Sequence, residues 1–208
     1  MGRYTTILWD LDQTLLDFDR SQAYALRYAF DQLGLPMADG TIALYAAIND
    51  RYWKRMERGE ITKAQVLTGR FEELLQALSI TSCQVQDIAD IYQKALGSVA
   101  FYLDGAKELV TELKEKGYRQ YIVTNGVNET QANKMKVSGL DQLVDGVFVS
   151  ELMGYPKPRK EYFENCLMQM PGVTRDRCIL VGDSLTSDMQ GANNAGIAAC
   201  WYNPRGLV

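Results

Sequence analysis

Three groups of oxygen-bearing side chains and one lysine stand out as able to do chemistry together. They are Asp10 with Asp12 in ILWDLDQT, Thr124 with Asn125 and Gly126 in IVTNGVN, Asp183 with Ser184 in LVGDSLTSD, and Lys157 in GYPKPRKEYF. Asp10 and Asp12 lie two residues apart where the chain leaves an apolar run, so a carboxylate and a second carboxylate or carbonyl can face one small volume. Adding Asp183 gathers negative oxygens that repel unless a hard cation neutralises them, and oxygen-only ligation selects Mg²⁺. The 208 residues contain no histidine, which excludes a Ser-His-Asp triad, a Cys-His dyad, an HExxH zinc site and any imidazole proton shuttle. A carboxylate held against a hard cation can attack phosphorus and form an aspartyl phosphate, a role that falls to Asp10. Asp12 is then placed to protonate the departing oxygen and later to deprotonate the hydrolytic water. Thr124, the backbone N–H groups of Asn125 and Gly126 and the start of the next helix would hold phosphate oxygens. Lys157 would supply fixed positive charge. Lys160 is the competing lysine. Lys157 is preferred because a residue before proline is held extended, whereas Lys160 opens a helix.

A strand-end acid is often no more than a helix cap. What makes these acids more than that is the set of elements that must carry them. Residues 5–10 read as a short buried strand ending on an acid. Residues 21–100 change to apolar residues at helical spacing, interrupted by Gly and by Ser/Thr clusters, and predict an all-helical block. Strand and helix then alternate: helix 105–116, strand 119–124, helix 129–138, strand 147–150, helix 160–170, strand 178–182, helix 187–195 and strand 198–201. Such βαβ units predict an α/β fold with a doubly wound parallel sheet, residues 1–16 and 103–208 forming the core and residues 17–102 an inserted helical cap. In an open sheet of this kind the ligand site lies beyond the carboxyl ends of the strands, where all three polar groups would converge.

Twenty-two basic against 26 acidic residues give a net charge of −4, which argues against nucleic acid as a partner. No apolar run approaches the roughly 20 residues of a membrane span, and no signal-peptide pattern opens the sequence, so a cytoplasmic protein is expected. The first six residues fit the bare myristoylation pattern, but a strand beginning near Tyr4 leaves no free tail for it. Cys83, Cys166, Cys178 and Cys200 show no CxxC pairing and read as buried free thiols.

The motifs resemble those of the haloacid dehalogenase superfamily of aspartate-nucleophile phosphatases. Asp10-Leu11-Asp12-Gln13-Thr14 is similar to its Asp-x-Asp-x-Thr motif, Thr124-Asn125-Gly126 to its second, Lys157-Pro158 to its third, and Gly182-Asp183-Ser184 with Asp188 to its fourth. The resemblance implies Asp10 as nucleophile, Asp12 as acid/base and carbonyl ligand of Mg²⁺, Asp183 as metal ligand, and Asp188 as a ligand or a holder of metal-bound water. The sequence departs from the family's pattern twice. Arg159-Lys160 follow Lys157-Pro158 where an acid or Ser and then Pro are common, and relatives add a strand and helix after the segment resembling residues 199–204, so either an incomplete sheet edge or a truncated chain is expected.

Within the superfamily, residues 182–204 and the cap look most similar to pyrimidine 5'-nucleotidases, which implies a small-molecule nucleoside monophosphate as substrate. Alternatives are a sugar-phosphate phosphatase or phosphomutase, and a receiver-like signalling module, which runs to about 120 residues and would not carry so long a helical insertion. A dehalogenase needs neither Asp12 nor Asp183, and a dinucleotide-binding role lacks its GxGxxG turn. Tyr45, Tyr52, Trp53 and Phe71 are expected to pack in the cap rather than stack on a base, and Arg51, Lys54, Arg55 and Arg58 to form a solvated face. Trp9, Trp201, Met168, Met170 and Met189 are expected as core fillers.

Overall fold

A computed structural model describes residues 2–204 and 206. The sequence positions 1, 205, 207 and 208, which include the ends of the expected core and the Met1 of the myristoylation pattern, lie outside the described residues. The chain divides into two compact units: one runs to Phe18 and resumes at Ala100, and the other spans Asp19–Val99.

The first unit is built on a five-stranded sheet. β1 (Thr6–Trp9), β2 (Arg119–Thr124), β3 (Gly146–Val149), β4 (Cys178–Gly182) and β5 (Ala198–Trp201) pair in the order β3-β2-β1-β4-β5. Every pairing is parallel, with Leu8 level with Tyr121 on one side and Leu180 on the other. Side chains alternate across the pleat. Leu8, Tyr121, Val123 and Leu180 point to the layer formed by α8 (Lys160–Met168) and α9 (Gln190–Ala195), where they meet Phe163, Cys166 and Ala192. Ile7, Trp9 and Ile122 point to the opposite layer and meet Val110 of α5 (Ala106–Glu115) and Met135 of α6 (Asn128–Ser138). The chain moves to β2 and β3 on one side of β1 and to β4 and β5 on the other. The order therefore reverses beside β1, and the crevice at that edge is where ligands bind in doubly wound sheets.

The second unit is helical. It contains α1 (Phe18–Gln32) apart from its first residue, α2 (Thr41–Glu57), α3 (Lys63–Ala77) and α4 (Val85–Gly97). Thr62 starts α3 with a reciprocal capping box to Gln65, one of the stop-and-start signals visible in the sequence. Tyr45, Phe71 and Tyr92 form a closed triangle with ring centroids 5.2 Å apart, so Tyr45 and Phe71 are packed in the helical core. Arg70 is buried beside them. Its guanidinium lies 5.1 Å from the Phe71 ring and 5.0 Å from the Tyr92 ring, and donates to Asn49 Oδ1 (2.7 Å) and Gln93 Oε1 (2.9 Å). Arg70→Ala removes packed volume and strips a donor from buried amide oxygens. We expect it to lower the unfolding free energy of this unit by about 3 kcal/mol or more. A urea titration followed by circular dichroism measures this, and a loss below about 1 kcal/mol would show that the ring and amide contacts contribute little. Arg51 pairs with Glu73, Lys54 with Asp50 and Arg55 with Glu60, a solvated charged face.

Several local expectations needed correction. The helical block expected to run to residue 100 ends its last helix at Gly97, where Ser98 Oγ donates to Ala95 O (2.8 Å), and Tyr102 bridges Leu16 as the chain returns to the sheet unit. The helix expected over 187–195 begins as a π-turn, Leu185–Met189, before α9. Ser150 leaves β3 and opens α7 (Ser150–Met153). The cysteines are all free, but only Cys166 and Cys178 are buried; Cys83 is half-buried and Cys200 exposed on edge strand β5. Burial pushes the Cys166 and Cys178 thiols up to about 12 and about 11. Met168 is 77% exposed, because α8 turns it away from the sheet that receives Phe163 and Cys166. Among the described residues no helix is long and apolar enough to cross a membrane.

Candidate active site

β1 delivers Asp10 at its carboxyl end, with the Asp10 amide donating to Val181 O of the neighbouring strand (2.9 Å). Asp183 follows β4, and the π-turn after it swings Asp188 back toward the strand ends. Carboxylate oxygens of Asp10, Asp183 and Asp188 all lie within 4.8 Å of one another. Gly182 is what permits this approach: a Cβ at that position would stand 2.4 Å from Asp188 Cγ. The carbonyl of Asp183 accepts from Trp201 Nε1 (2.9 Å), so this tryptophan anchors the acidic loop rather than simply filling core.

Lys157 is buried at the centre of the group. Its Nζ donates to Asp10 Oδ1 (2.6 Å), Asp188 Oδ1 (2.6 Å) and Val123 O (2.9 Å). These three bonds occupy every proton of the ammonium. Lys160 is elsewhere, opening α8 and pairing with Glu164 on the surface. Burial pushes the Asp10 carboxyl well above the usual range; the Lys157 charge opposes this, while Asp188 and Asp183 push it further up. Burial alone would lower the Lys157 ammonium, but the facing carboxylates of Asp10 and Asp188 outweigh it and leave the group raised. The remaining Asp10 oxygen, Oδ2, accepts from Thr14 Oγ1 (3.2 Å).

β2 ends on Thr124 in the same crevice. Asn125 turns its side chain onto the backbone of Lys157, donating through Nδ2 to the carbonyl (2.9 Å) and accepting at Oδ1 from the amide (2.8 Å). That double bond pattern ties the β2 end to the lysine loop. Gly126 donates its N–H to Thr124 Oγ1 (3.1 Å). At the start of α6, the Asn128 N–H donates to Glu151 Oε2 (2.9 Å).

Asp12 stands apart from the three-carboxylate group. Its Oδ1 accepts from Lys134 Nζ (2.6 Å) and its Oδ2 from Gln131 Nε2 (2.9 Å), both on α6. Of a carboxylate or a carbonyl facing the acidic volume, the side chain is thus engaged elsewhere. Sequence reasoning missed Gln131 and Lys134. Their signal is that two polar side chains at i and i+3 of α6 occupy its buried face, which also carries Met135.

An all-oxygen group of three carboxylates suits a hard divalent cation by its donor chemistry, and Lys157 offsets only part of its charge. The arrangement can hold such an ion and present a buried carboxylate as a nucleophile.

The family model for haloacid dehalogenase-like hydrolases matches residues 7–202. YfnB of Bacillus subtilis, which carries the name of a HAD-hydrolase, is 36% identical over 204 residues, covering 98% of this chain and 86% of the relative. PynA of Streptococcus pneumoniae, a pyrimidine 5'-nucleotidase by name, is 35% identical over 98% of this chain and 86% of its own. YjjG of Escherichia coli, also named a pyrimidine 5'-nucleotidase, is 29% identical over 97% of this chain and 87% of its own. A crystal structure of YfnB bound to magnesium superposes with a TM-score of 0.93 at 35% identity, covering 100% of this chain and 90% of that one.

Proposed function

This chain belongs to the haloacid dehalogenase-like hydrolases, and on that premise we propose that it is a Mg²⁺-dependent phosphatase of small phosphomonoesters that works through an aspartyl phosphate on Asp10. The observation that carries the reading is the buried Asp10 carboxylate, held at the end of β1 between Lys157 and the carboxylates of Asp183 and Asp188. Asp10 attacks phosphorus as the bond to the leaving oxygen breaks, and Asp12 gives that oxygen its proton. Asp12 then takes a proton from water as that water attacks the aspartyl phosphate, releasing inorganic phosphate and restoring Asp10. Thr124 Oγ1 and the N–H group of Asn125 hold phosphoryl oxygens at the end of β2, while the Gly126 N–H, expected from the sequence to share that task, is engaged by Thr124 Oγ1. Lys157, whose protons are already engaged, acts chiefly as fixed charge that steadies Asp10 as the phosphoryl group arrives. Asp10, Asp183, Asp188 and the Asp12 carbonyl would hold the cation, which supplies charge neutralisation between nucleophile and phosphate.

The proposed substrates are nucleoside 5'-monophosphates, pyrimidine before purine. The support is the naming of PynA and YjjG at 35% and 29% identity over nearly the whole chain. No nucleic-acid or membrane partner is proposed, and the site of action is taken to be the cytoplasm.

EDTA should abolish hydrolysis of UMP and Mg²⁺ or Mn²⁺ should restore it; full activity after chelation would exclude the metal role. Comparing kcat/KM for UMP, dTMP, AMP, a hexose phosphate and phosphoglycolate tests the substrate. A tenfold lead for either of the last two, about 1.4 kcal/mol of discrimination, overturns the nucleotide assignment and leaves the phosphatase intact.

A further inference from the structure

Gln131 and Lys134 serve no role in the reaction as described so far, yet both are buried polar side chains on one face of α6 and both end on reacting groups. Gln131 Nε2 lies 2.9 Å from Asp12 Oδ2 and 2.8 Å from Thr124 Oγ1, so its two N–H donors bridge the acid/base to the phosphate-holding hydroxyl. Thr124 Oγ1 also accepts from the Gly126 N–H (3.1 Å). A hydroxyl oxygen has two lone pairs, and both are then filled. The Thr124 proton is left as a committed donor with one direction available. On the other side, Lys134 Nζ holds Asp12 Oδ1 at 2.6 Å while its ammonium lies 5.2 Å from the centre of the Phe18 ring.

We propose that Gln131 and Lys134 are positioning residues: together they fix the Asp12 carboxylate for proton transfer, and Gln131 at the same time sets Thr124 as a hydrogen-bond donor to the phosphoryl group. Each Asp12 oxygen keeps a lone pair beyond its α6 partner, so the carboxylate can meet the leaving oxygen or the water without breaking either bond. The same contact explains Gly126. A Cβ there would stand 2.2 Å from Gln131 Nε2, so only glycine lets the amide reach both partners. An ammonium and an amide anchored three residues apart on one rigid helix also resist rotation of Asp12 better than water would, which is what a precisely oriented acid needs.

This inference rests on the phosphatase reading, and the test separates the two. Wild type, Gln131→Met, Lys134→Met and Lys134→Arg are compared on p-nitrophenyl phosphate, whose leaving group departs without a proton, and on the alkyl phosphate the enzyme hydrolyses best. kcat/KM reports the step in which the leaving group departs, before later hydrolysis of the intermediate. Both methionine variants should lose about tenfold or more in kcat/KM on the alkyl ester than they lose on p-nitrophenyl phosphate, and Lys134→Arg should recover most of its loss. Inorganic phosphate should inhibit Gln131→Met more weakly than wild type, because Thr124 loses its set direction, and should inhibit Lys134→Met as it does wild type. Melting curves identify any variant that fails to fold, in which case the other carries the comparison. Equal losses on both substrates, or losses under threefold on the alkyl ester, overturn the positioning role. A wild-type protein that hydrolyses neither ester overturns the phosphatase reading itself.

Discussion

Asp10→Asn is expected to lower turnover by about 10⁴-fold or more while leaving the fold at least as stable as wild type. The loss in rate follows from removing the attacking carboxylate, since variants lacking a nucleophile keep only the catalysis that binding and electrostatics provide. The stability expectation has the opposite sign. Burial holds the Asp10 carboxyl well above its usual range, and Asp188 and Asp183 press in the same direction. A neutral amide relieves that repulsion, still offers an oxygen to Lys157, and leaves Asp188 as the lysine's counter-charge. The melting temperature should therefore hold or rise while phosphate release disappears. A large fall in melting temperature would mean that the Asp10–Lys157 pair is a net stabilising element and that the carboxylate repulsion is weaker than the geometry implies.

Lys157→Met is expected to damage both fold and activity. Its ammonium contacts Asp10 and Asp188 within a group that also includes Asp183, so its loss leaves buried carboxylates facing each other. Breaking a buried ion pair by removing one partner costs about 3–5 kcal/mol. At roughly 2–4 °C per kcal/mol for a chain of this size, the melting temperature should fall by on the order of 10 °C. The carbonyl of Val123 also loses its donor. Added Mg²⁺ should raise the melting temperature of this variant more than that of wild type, because a cation among the three carboxylates replaces part of the missing charge. A wild-type rise that matches or exceeds the variant's would remove the argument that Lys157 and the metal share one field.

The strands and helices were readable because their signals are local. Residues 6–9, 119–124 and 178–182 are short apolar runs that close on a polar group, and the helices of the Asp19–Val99 unit carry an unbroken helical period with a capping box at Thr62. The misread segments are those where a distant contact overrides local preference. Residues 98–100 belong to the expected helical block, yet the last helix ends at Gly97 and Tyr102 is drawn into a bridge with Leu16. Residues 187–189 read as the first turn of an ordinary helix, yet they belong to a π-turn over Leu185–Met189 that carries Asp188 back to within reach of Lys157. Met168 has the composition of a core residue and the position of a surface one, because the register of α8 is set by Phe163 and Cys166.

For the site, the sequence alone determined which residues are chemically equipped. The absence of histidine and the spacing of Asp10, Asp12, Thr124, Lys157 and Asp183 at apolar strand ends already narrow the reaction to carboxylate and oxygen chemistry. Only the tertiary structure decided how those groups divide the work. It gives Lys157 three protein acceptors, turns Asn125 onto the lysine's backbone, and sends the Asp12 carboxylate to Gln131 and Lys134 on α6. The physical reason is reach. A residue's type and its strand end follow from its neighbours in the chain, but hydrogen bonds between residues 119 to 147 positions apart exist only once the parallel sheet has brought its strand ends to one edge.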